Sequence, residues 1–95
     1  MEKVLFKKFK DFLNKCEIGP YDLHIEIISK KSRVLSTTGK LDGLKFRENN
    51  LYILMDKGVC FIDLVEIDSI YENNDWFYIK LKNDLEYKFC DTSSL

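Results

Sequence analysis

The stretch STTGKLDGLKFRENNLYILMDKG, residues 36–58, places Gly39 and Gly43 inside what otherwise reads as paired β-strands. Glycine weakens a strand interior, so within a strand it usually marks a bulge, a sharp bend or a close approach of backbone. Two glycines so close together indicate a chain that bends strongly here. The stretch therefore predicts a small, bent β-barrel.

The apolar residues around Gly43 change their strand parity. Leu41 faces one way, whereas Leu44 and Phe46 continue the apolar set out of step with it. A β-bulge near Gly43 has this effect, because one extra residue moves every later side chain to the other face. We therefore predict one long strand over residues 34–46, bent so that it serves two sides of the barrel.

The remaining elements follow from the spacing of the apolar residues. Helical spacing over residues 1–18 predicts an amphipathic helix, and Gly19-Pro20 ends it. Alternating segments then predict strands over 23–29, 34–46, 51–56, 59–64, 76–81 and 85–89, with a short strand or helical turn over 65–75. The predicted fold is mainly β with one N-terminal helix: a small bent antiparallel β-barrel of the Sm or SH3 type with about five to seven strands. Residues 1–95 form one domain, with the barrel over 21–90.

The composition is that of an ordered globular chain. Of 95 residues, 45% are hydrophobic and 14% aromatic, and lysines interrupt the N-terminal segment before any membrane-spanning length is reached. We expect a soluble, unprocessed, cytoplasmic protein. A chain this short buries a small fraction of its surface, so self-association into a homo-oligomer through the barrel edges would add stability.

The formal charge differs in sign between the two halves of the chain. Residues 1–47 carry eleven Lys and Arg against six Asp and Glu, and residues 48–95 carry four against ten. If folding keeps the halves on separate faces, the molecule is electrically polar. If the strands intermix, the charges cancel locally.

The thiols and the imidazole predict no metal or cofactor. The chain has an odd number of cysteines, Cys16, Cys60 and Cys90, and no Cys-x-x-Cys motif. This pattern is typical of buried free thiols in a reducing compartment. His24 is the only histidine, and it lies on the outward side of its strand pattern without a second soft ligand at finger-like spacing.

Part of the chain resembles the Sm-like fold of ring-forming RNA-binding proteins. The resemblance rests on the N-terminal helix followed by TGKLDGLKF, NNLYIL and VCFIDLVEIDSI, and it covers roughly residues 3–72. Gly39 matches the glycine at the bend of that family, and Asn50-Leu51 matches the end of its first motif. The chain has FIDLVEIDSI where the family carries its second, cationic motif. The resemblance implies a ring-shaped oligomer that binds RNA or a nucleotide.

The C-terminal half has a second resemblance. VCFIDLVEIDSIYENNDWFYIKLKNDLEYKF, residues 59–89, is similar to the strand, Asp-x-x-x-Ile-x-x-Ile, strand, strand run of bacterial pleckstrin-homology-like domains. Domains of that family end in a helix that closes the barrel. In this chain the N-terminal helix would have to take that position. The resemblance implies a lipid or protein binder.

Enzymatic motifs are missing from the sequence. It contains no nucleophile elbow and no phosphate-binding loop, and no motif places a serine or cysteine beside His24. Asp63, Glu66 and Asp68 are close enough to act as acid and base or to hold a divalent cation, but acidic residues around one apolar turn are more often a solvated surface. We predict that the chain is not an enzyme.

Two groups of side chains are candidates for binding. The first is a cationic patch for nucleic acid or another anion, formed by Lys30, Lys31, Arg33, Lys45 and Arg47. Cations and aromatic rings together are suited to RNA, but a pI of about 5.8 opposes the electrostatic attraction that dominates such binding.

The second group is an aromatic patch formed by Tyr71, Trp76 and Tyr78. Aromatic rings flanked by acidic residues are typical of protein interfaces, although Trp76 also suits the end of a barrel core. The leading prediction is a module that binds a protein partner stoichiometrically, as an adaptor or an inhibitor. RNA or nucleotide binding is the alternative.

Overall fold

A computed structural model describes residues 2–30 and 32–95 of the chain. The elements in chain order are β1 (Glu2–Lys3), α1 (Phe6–Ile18), β2 (Leu23–Ser29), β3 (Ser32–Gly39), β4 (Leu41–Arg47), β5 (Asn50–Met55), β6 (Gly58–Asp63), β7 (Ile67–Asn73), β8 (Trp76–Leu81) and β9 (Leu85–Asp91). Short 3₁₀ turns cover Leu64–Glu66 and Thr92–Ser94. In the described residues, no helix is long and apolar enough to cross a membrane.

The strands form two bent antiparallel sheets. One has six strands in the order β1-β7-β8-β9-β2-β3, and the other has three in the order β4-β5-β6. The mainly β fold with one helix near the N-terminus is confirmed. The sheets are bent but do not close into a barrel over the described residues, because β3 and β6, at the facing sides of the two sheets, are not paired with each other.

The predicted strand over 34–46 is interrupted at Lys40 and continues in the other sheet. β3 pairs with β2, and β4 pairs with β5, so one stretch of chain joins both sheets at a corner. The register of β4 shifts between Leu41 and Gly43, which confirms the predicted bulge. The two glycines thus mark different features: Gly39 ends β3 at the corner, and Gly43 lies at the bulge.

Asp56 explains why glycine is needed at position 39. Its Oδ1 accepts a hydrogen bond of 3.1 Å from the backbone N–H of Lys40, and its own N–H donates to the Lys40 carbonyl at 3.1 Å. A Cβ on Gly39 would collide with Asp56 Oδ1 and lie 3.3 Å from its Cγ. Close approach of the carboxylate, rather than an unusual backbone conformation, therefore disfavours a side chain at this position.

We expect Gly39→Ala to lower the free energy of unfolding by about 1–2 kcal/mol, because Asp56 must turn away and lose its hydrogen bond. Asp56→Ala should lose a similar amount. In the double variant the collision is gone, so its loss should be clearly smaller than the sum of the single losses. Urea unfolding of the four proteins measures the cycle, and strict additivity would contradict the close-contact explanation.

The helix starts later than predicted. Glu2 and Lys3 pair with Glu72 and Tyr71 as strand β1, so α1 begins only at Phe6, whereas the predicted helix covered 1–18. At its other end Gly19 adopts φ 84°, a left-handed conformation that suits glycine, and its N–H donates to the Lys15 carbonyl. The predicted stop signal is thus confirmed.

The core lies between α1 and the concave faces of the sheets. Phe9 of α1 is fully buried, with its ring centroid 4.9 Å from that of Phe89 and 5.7 Å from that of Phe77. Phe12 packs on Phe77 in a tilted arrangement, with 4.8 Å between the ring centroids. These aromatic contacts attach the helix to β8 and β9 of the six-stranded sheet.

All three cysteines are free. Burial raises the pKa of Cys16 and Cys60 from 9.0 to about 12 and that of Cys90 to about 11, so the thiols stay neutral near pH 8. Since the thiolate is the reactive form, we expect native protein to react very slowly with a thiol reagent such as DTNB, and denatured protein to react at all three. Rapid labelling of the native protein would contradict this burial.

The two halves of opposite charge intermix in the folded chain. β9 of the acidic half pairs with β2 of the basic half, and β1 pairs with β7. Ion pairs also join the halves, including Lys8 Nζ to Glu72 Oε1 at 2.6 Å. Much of the charge asymmetry along the sequence is therefore neutralised locally.

Candidate functional site

The aromatic patch lies on the outer face of the six-stranded sheet. Along β8, Phe77, Ile79 and Leu81 are buried towards the core, so the alternate residues Trp76 and Tyr78 face outward. Tyr71 of β7 is directly opposite Tyr78 and shares this face. The structure therefore brings the three predicted residues together, and it places Trp76 outside the core.

Two lysine side chains lie over these rings. Lys88 Nζ is 4.9 Å from the ring centroid of Trp76 and 5.4 Å from that of Tyr78. Lys80 Nζ is 5.2 Å from the ring centroid of Tyr71. An ammonium group at such distances is attracted to the negative face of the ring. These contacts place two cations among the rings.

An ionic and hydrogen-bonded series continues from Lys88 across β2 to β3. Lys88 Nζ lies 4.0 Å from Glu26 Oε1, and Glu26 Oε2 lies 2.9 Å from His24 Nε2. His24 Nδ1 in turn lies 2.6 Å from the hydroxyl oxygen of Thr38. The series spans three neighbouring strands on the same face as the aromatic patch. We call Thr38, His24, Glu26 and Lys88 the polar network.

The chemistry of the network fixes the tautomer of a neutral His24. An ionised Glu26 only accepts hydrogen bonds, so Nε2 carries the proton and donates it, and Nδ1 accepts from the Thr38 hydroxyl. The ring is only 7% exposed although it faces outward, and the Trp76 ring contacts it edge-on at 5.8 Å. The order hydroxyl, imidazole, carboxylate also occurs in acyl-transfer triads. Here Trp76 covers the imidazole, so the network supports the aromatic face.

The pKa of Glu26 lies below its ordinary 4.5, chiefly because His24 hydrogen-bonds to the carboxylate, with smaller help from Lys88. A depressed carboxyl pKa stabilises the fold above the pKa of the unfolded chain, and this contribution is lost as the pH falls through the folded pKa. We therefore expect Glu26→Gln to be less stable than the native protein near neutral pH.

The same variant should lose less stability than the native protein as the solution is acidified below pH 4.5. Urea unfolding at a series of pH values measures the difference between the two proteins. Glu86→Gln is a suitable control, because Glu86 lies on the same face with a weaker ion pair, 3.9 Å from Lys80. Parallel stability curves for the native protein and Glu26→Gln would contradict the assigned role.

Sequence reasoning identified the aromatic residues but not the polar network. The hairpin turn over residues 82–84 sets the β8–β9 register, which places Lys88 opposite Tyr78. Lys88 was therefore predictable from this local feature of the sequence, although it was not among the predicted site residues. Thr38 lies opposite His24 through the local β2–β3 hairpin, but His24 and Glu26 reach Lys88 only through the pairing of β2 with β9, which no nearby sequence feature indicates.

The cationic patch is divided between two hairpins. Lys30 and Arg33 lie at the β2–β3 hairpin of the six-stranded sheet, whereas Lys45 and Arg47 lie on β4 of the three-stranded sheet. All four are exposed. Lys31 lies outside the described residues. Strands β3 and β4 meet at the corner near Lys40 and then run in different sheets. The described cations lie at the ends of these two strands that are far from the corner.

The candidate carboxylates have local structural roles. Asp63 Oδ1 accepts a hydrogen bond from the Val65 N–H at 3.1 Å and so caps the first 3₁₀ turn. Asp68 Oδ2 is 3.5 Å from the hydroxyl of Ser69. Within residues 2–30 and 32–95, no group of three or more His, Cys, Asp or Glu side chains is arranged to hold a metal ion.

No family model, no curated protein and no solved structure matches the chain. The resemblances to Sm-like barrels and to pleckstrin-homology-like domains therefore stay predictions.

Proposed function

We propose that the chain is a binding module that engages a protein partner stoichiometrically, as an adaptor or an inhibitor, through the outer face of its six-stranded sheet. The observation that carries this proposal is the position of Tyr71, Trp76 and Tyr78. All three are half-buried on the side of the sheet that faces away from the core, and two lysines lie over their rings.

Such a face is suited to recognition because it is ordered before binding. Tryptophan and tyrosine dominate the energetic centres of protein interfaces, and rigid rings lose little conformational entropy when a partner covers them. The lysine ammonium groups and the polar network already restrict Trp76 and Tyr78. The entropic cost of ordering the rings on binding should therefore be small.

The chemistry of the face also describes its partner. Lys88 Nζ lies 4.0 Å from Glu26, beyond hydrogen-bond distance, so its N–H donors are available to a ligand. Lys80 is exposed beside Tyr71, and its own acidic neighbour, Glu86, is 3.9 Å away. The complementary surface is apolar at its centre, with carboxylate or carbonyl oxygens at its edge.

Site-specific photo-crosslinking tests the proposal. Benzoylphenylalanine at position 78 should crosslink to one protein in extracts of the cells that make the chain, in a 1:1 product by mass. The same group at the exposed Tyr21, in the loop after α1, is the matched control and should not give this product. Lys88→Ala in the position-78 protein should greatly reduce the yield.

Three outcomes would overturn the proposal. The first is equal crosslinking of the same proteins from positions 78 and 21. The second is a product that nuclease removes and that weakens steeply with salt, which would favour the RNA alternative. The third is catalytic turnover of the captured protein at substoichiometric amounts of the chain.

A further inference from the structure

Strand β6 is an open edge with an apolar surface. Over the described residues it pairs with β5 only, so its other edge is unpaired. Val59 and Phe61 of β6 are 60% and 57% exposed. A cleft of about 330 Å³ separates this strand from β3, where Leu35 is 52% exposed. Apolar side chains therefore surround a row of backbone groups that has no strand partner in the described part of the chain.

The β6 edge lacks the features that usually protect edge strands from pairing. Natural proteins place lysine, proline, bulges or covering loops on such edges. The sequence of β6 is Gly-Val-Cys-Phe-Ile-Asp, with its one charge at the end, and its pairing with β5 is regular throughout. An unprotected apolar edge of this kind is suited to accepting another strand.

The turn before β6 defines which backbone groups face outward. Met55 pairs with Gly58 across the two-residue turn Asp56-Lys57, so residues 58, 60 and 62 bond to β5. The N–H and C=O groups of residues 59, 61 and 63 then point to the open edge. In agreement, the Phe61 carbonyl points away from β5 and accepts a long hydrogen bond of 3.5 Å from the Tyr87 hydroxyl of the other sheet, which leaves its second lone pair for a strand partner.

We infer that β6 pairs with β6 of a second copy of this chain, antiparallel and about a two-fold axis at Cys60. In this register each Val59 lies opposite the other copy's Phe61, a β-branched and aromatic pair of the kind that stabilises sheets. Both residues of the pair carry outward-facing backbone groups, so the two strands form the regular antiparallel bonds.

Charge complementarity selects this register over its neighbours. With Cys60 at the axis, Lys57 of each copy lies opposite Asp63 of the other, which gives two favourable pairs at the ends of the strand. A shift that places Phe61 opposite Phe61 would put Val59 against Asp63 and lose both ion pairs. The occupant of the edge is therefore a second copy, and its pairing extends the three-stranded sheet to six strands.

Sedimentation velocity and light scattering test the assembly. The native protein should have twice the 11.3 kDa mass of one chain at high micromolar concentration and dissociate on dilution. Phe61→Lys should be a folded monomer at every concentration. Val65→Lys is the matched control, since Val65 is 56% exposed just beyond β6, and it should remain dimeric.

A charge exchange tests the register. Lys57→Glu alone and Asp63→Lys alone should each weaken the dimer by about tenfold, because two attractive pairs become repulsive. A mixture of the two variants should restore a heterodimer, because both ends again pair opposite charges. Circular dichroism checks that Asp63→Lys, which loses the cap on Val65, remains folded.

The inference would be overturned if the native protein were monomeric at every concentration tested. It would also be overturned if Phe61→Lys and Val65→Lys formed dimers of equal strength. A native dimer whose mixed charge variants fail to associate would overturn this register. The crosslink from position 78 should persist in Phe61→Lys, because the outer face of the six-stranded sheet and the β6 edge are different surfaces. If the native protein dimerises but position 78 gives no selective crosslink, the proposed function fails. If position 78 crosslinks but the native protein is monomeric, the β6 inference fails.

Discussion

Phe9→Ala should lower the free energy of unfolding by about 4 kcal/mol, the largest effect we expect from a single core substitution. Phe9 is fully buried, and its ring contacts Phe77 and Phe89, which attach the helix to the sheet. Removing the ring loses its transfer free energy and leaves a cavity that the rigid strands cannot fill. The loss is a large fraction of the stability of a small domain.

Urea unfolding followed by circular dichroism measures this change. Phe46→Ala is the control, since Phe46 also contacts the helix, at 6.3 Å from Phe6, but is 46% exposed. Its loss should be about 1 kcal/mol because less area is buried. A loss for Phe9→Ala as small as that of Phe46→Ala would mean that the helix is not an integral part of the core.

Trp76→Ala should weaken binding of the captured partner by about a hundredfold, as is common for a tryptophan at the centre of an interface. The substitution removes the largest ring of the aromatic patch and one of the two rings over which Lys88 is held. It also uncovers His24, so a modest loss of stability, about 1 kcal/mol, is expected as well.

Isothermal titration with the purified partner measures the affinity. Tyr52→Ala is the matched control, because Tyr52 is a half-buried aromatic residue on the three-stranded sheet, 6.1 Å from Phe61. It should bind the partner normally. If Trp76→Ala unfolds the protein, Trp76 is a core residue rather than an interface residue. If the variants stay folded and lose affinity equally, the outer face has no selective role in binding.

The local features of the fold were accessible from the sequence. The bulge at Gly43, the stop at Gly19 and the hairpin over 82–84 depend on residues next to each other, and the structure confirms them. The later start of α1 was missed because Glu2 and Lys3 have a remote partner in β7, and two polar residues carry no strand pattern. The barrel was predicted to close, but over the described residues β3 and β6 are not paired with each other. The periodicity of apolar residues does not encode whether two such edge strands pair.

The candidate site was only half predictable for the same reason. Alternation along β8 placed Trp76 and Tyr78 on one face, but it did not say whether that face was covered. The polar network needs the order β8-β9-β2-β3, a non-local pairing that joins the start of the chain to its end. His24 therefore reads as an outward residue in the sequence, yet it is buried beneath Trp76 in the fold.

Trp76 is the only tryptophan in the chain, so its fluorescence reports on the proposed interface without labelling. The direct test is acrylamide quenching of this emission in the free protein and in the complex with the captured partner, provided that the partner contributes no tryptophan signal or is labelled with a non-fluorescent analogue. We expect clear quenching of the half-exposed ring in the free protein and strong protection in the complex. Equal quenching in both states would show that the partner binds elsewhere and that the outer face of the six-stranded sheet is not the interface.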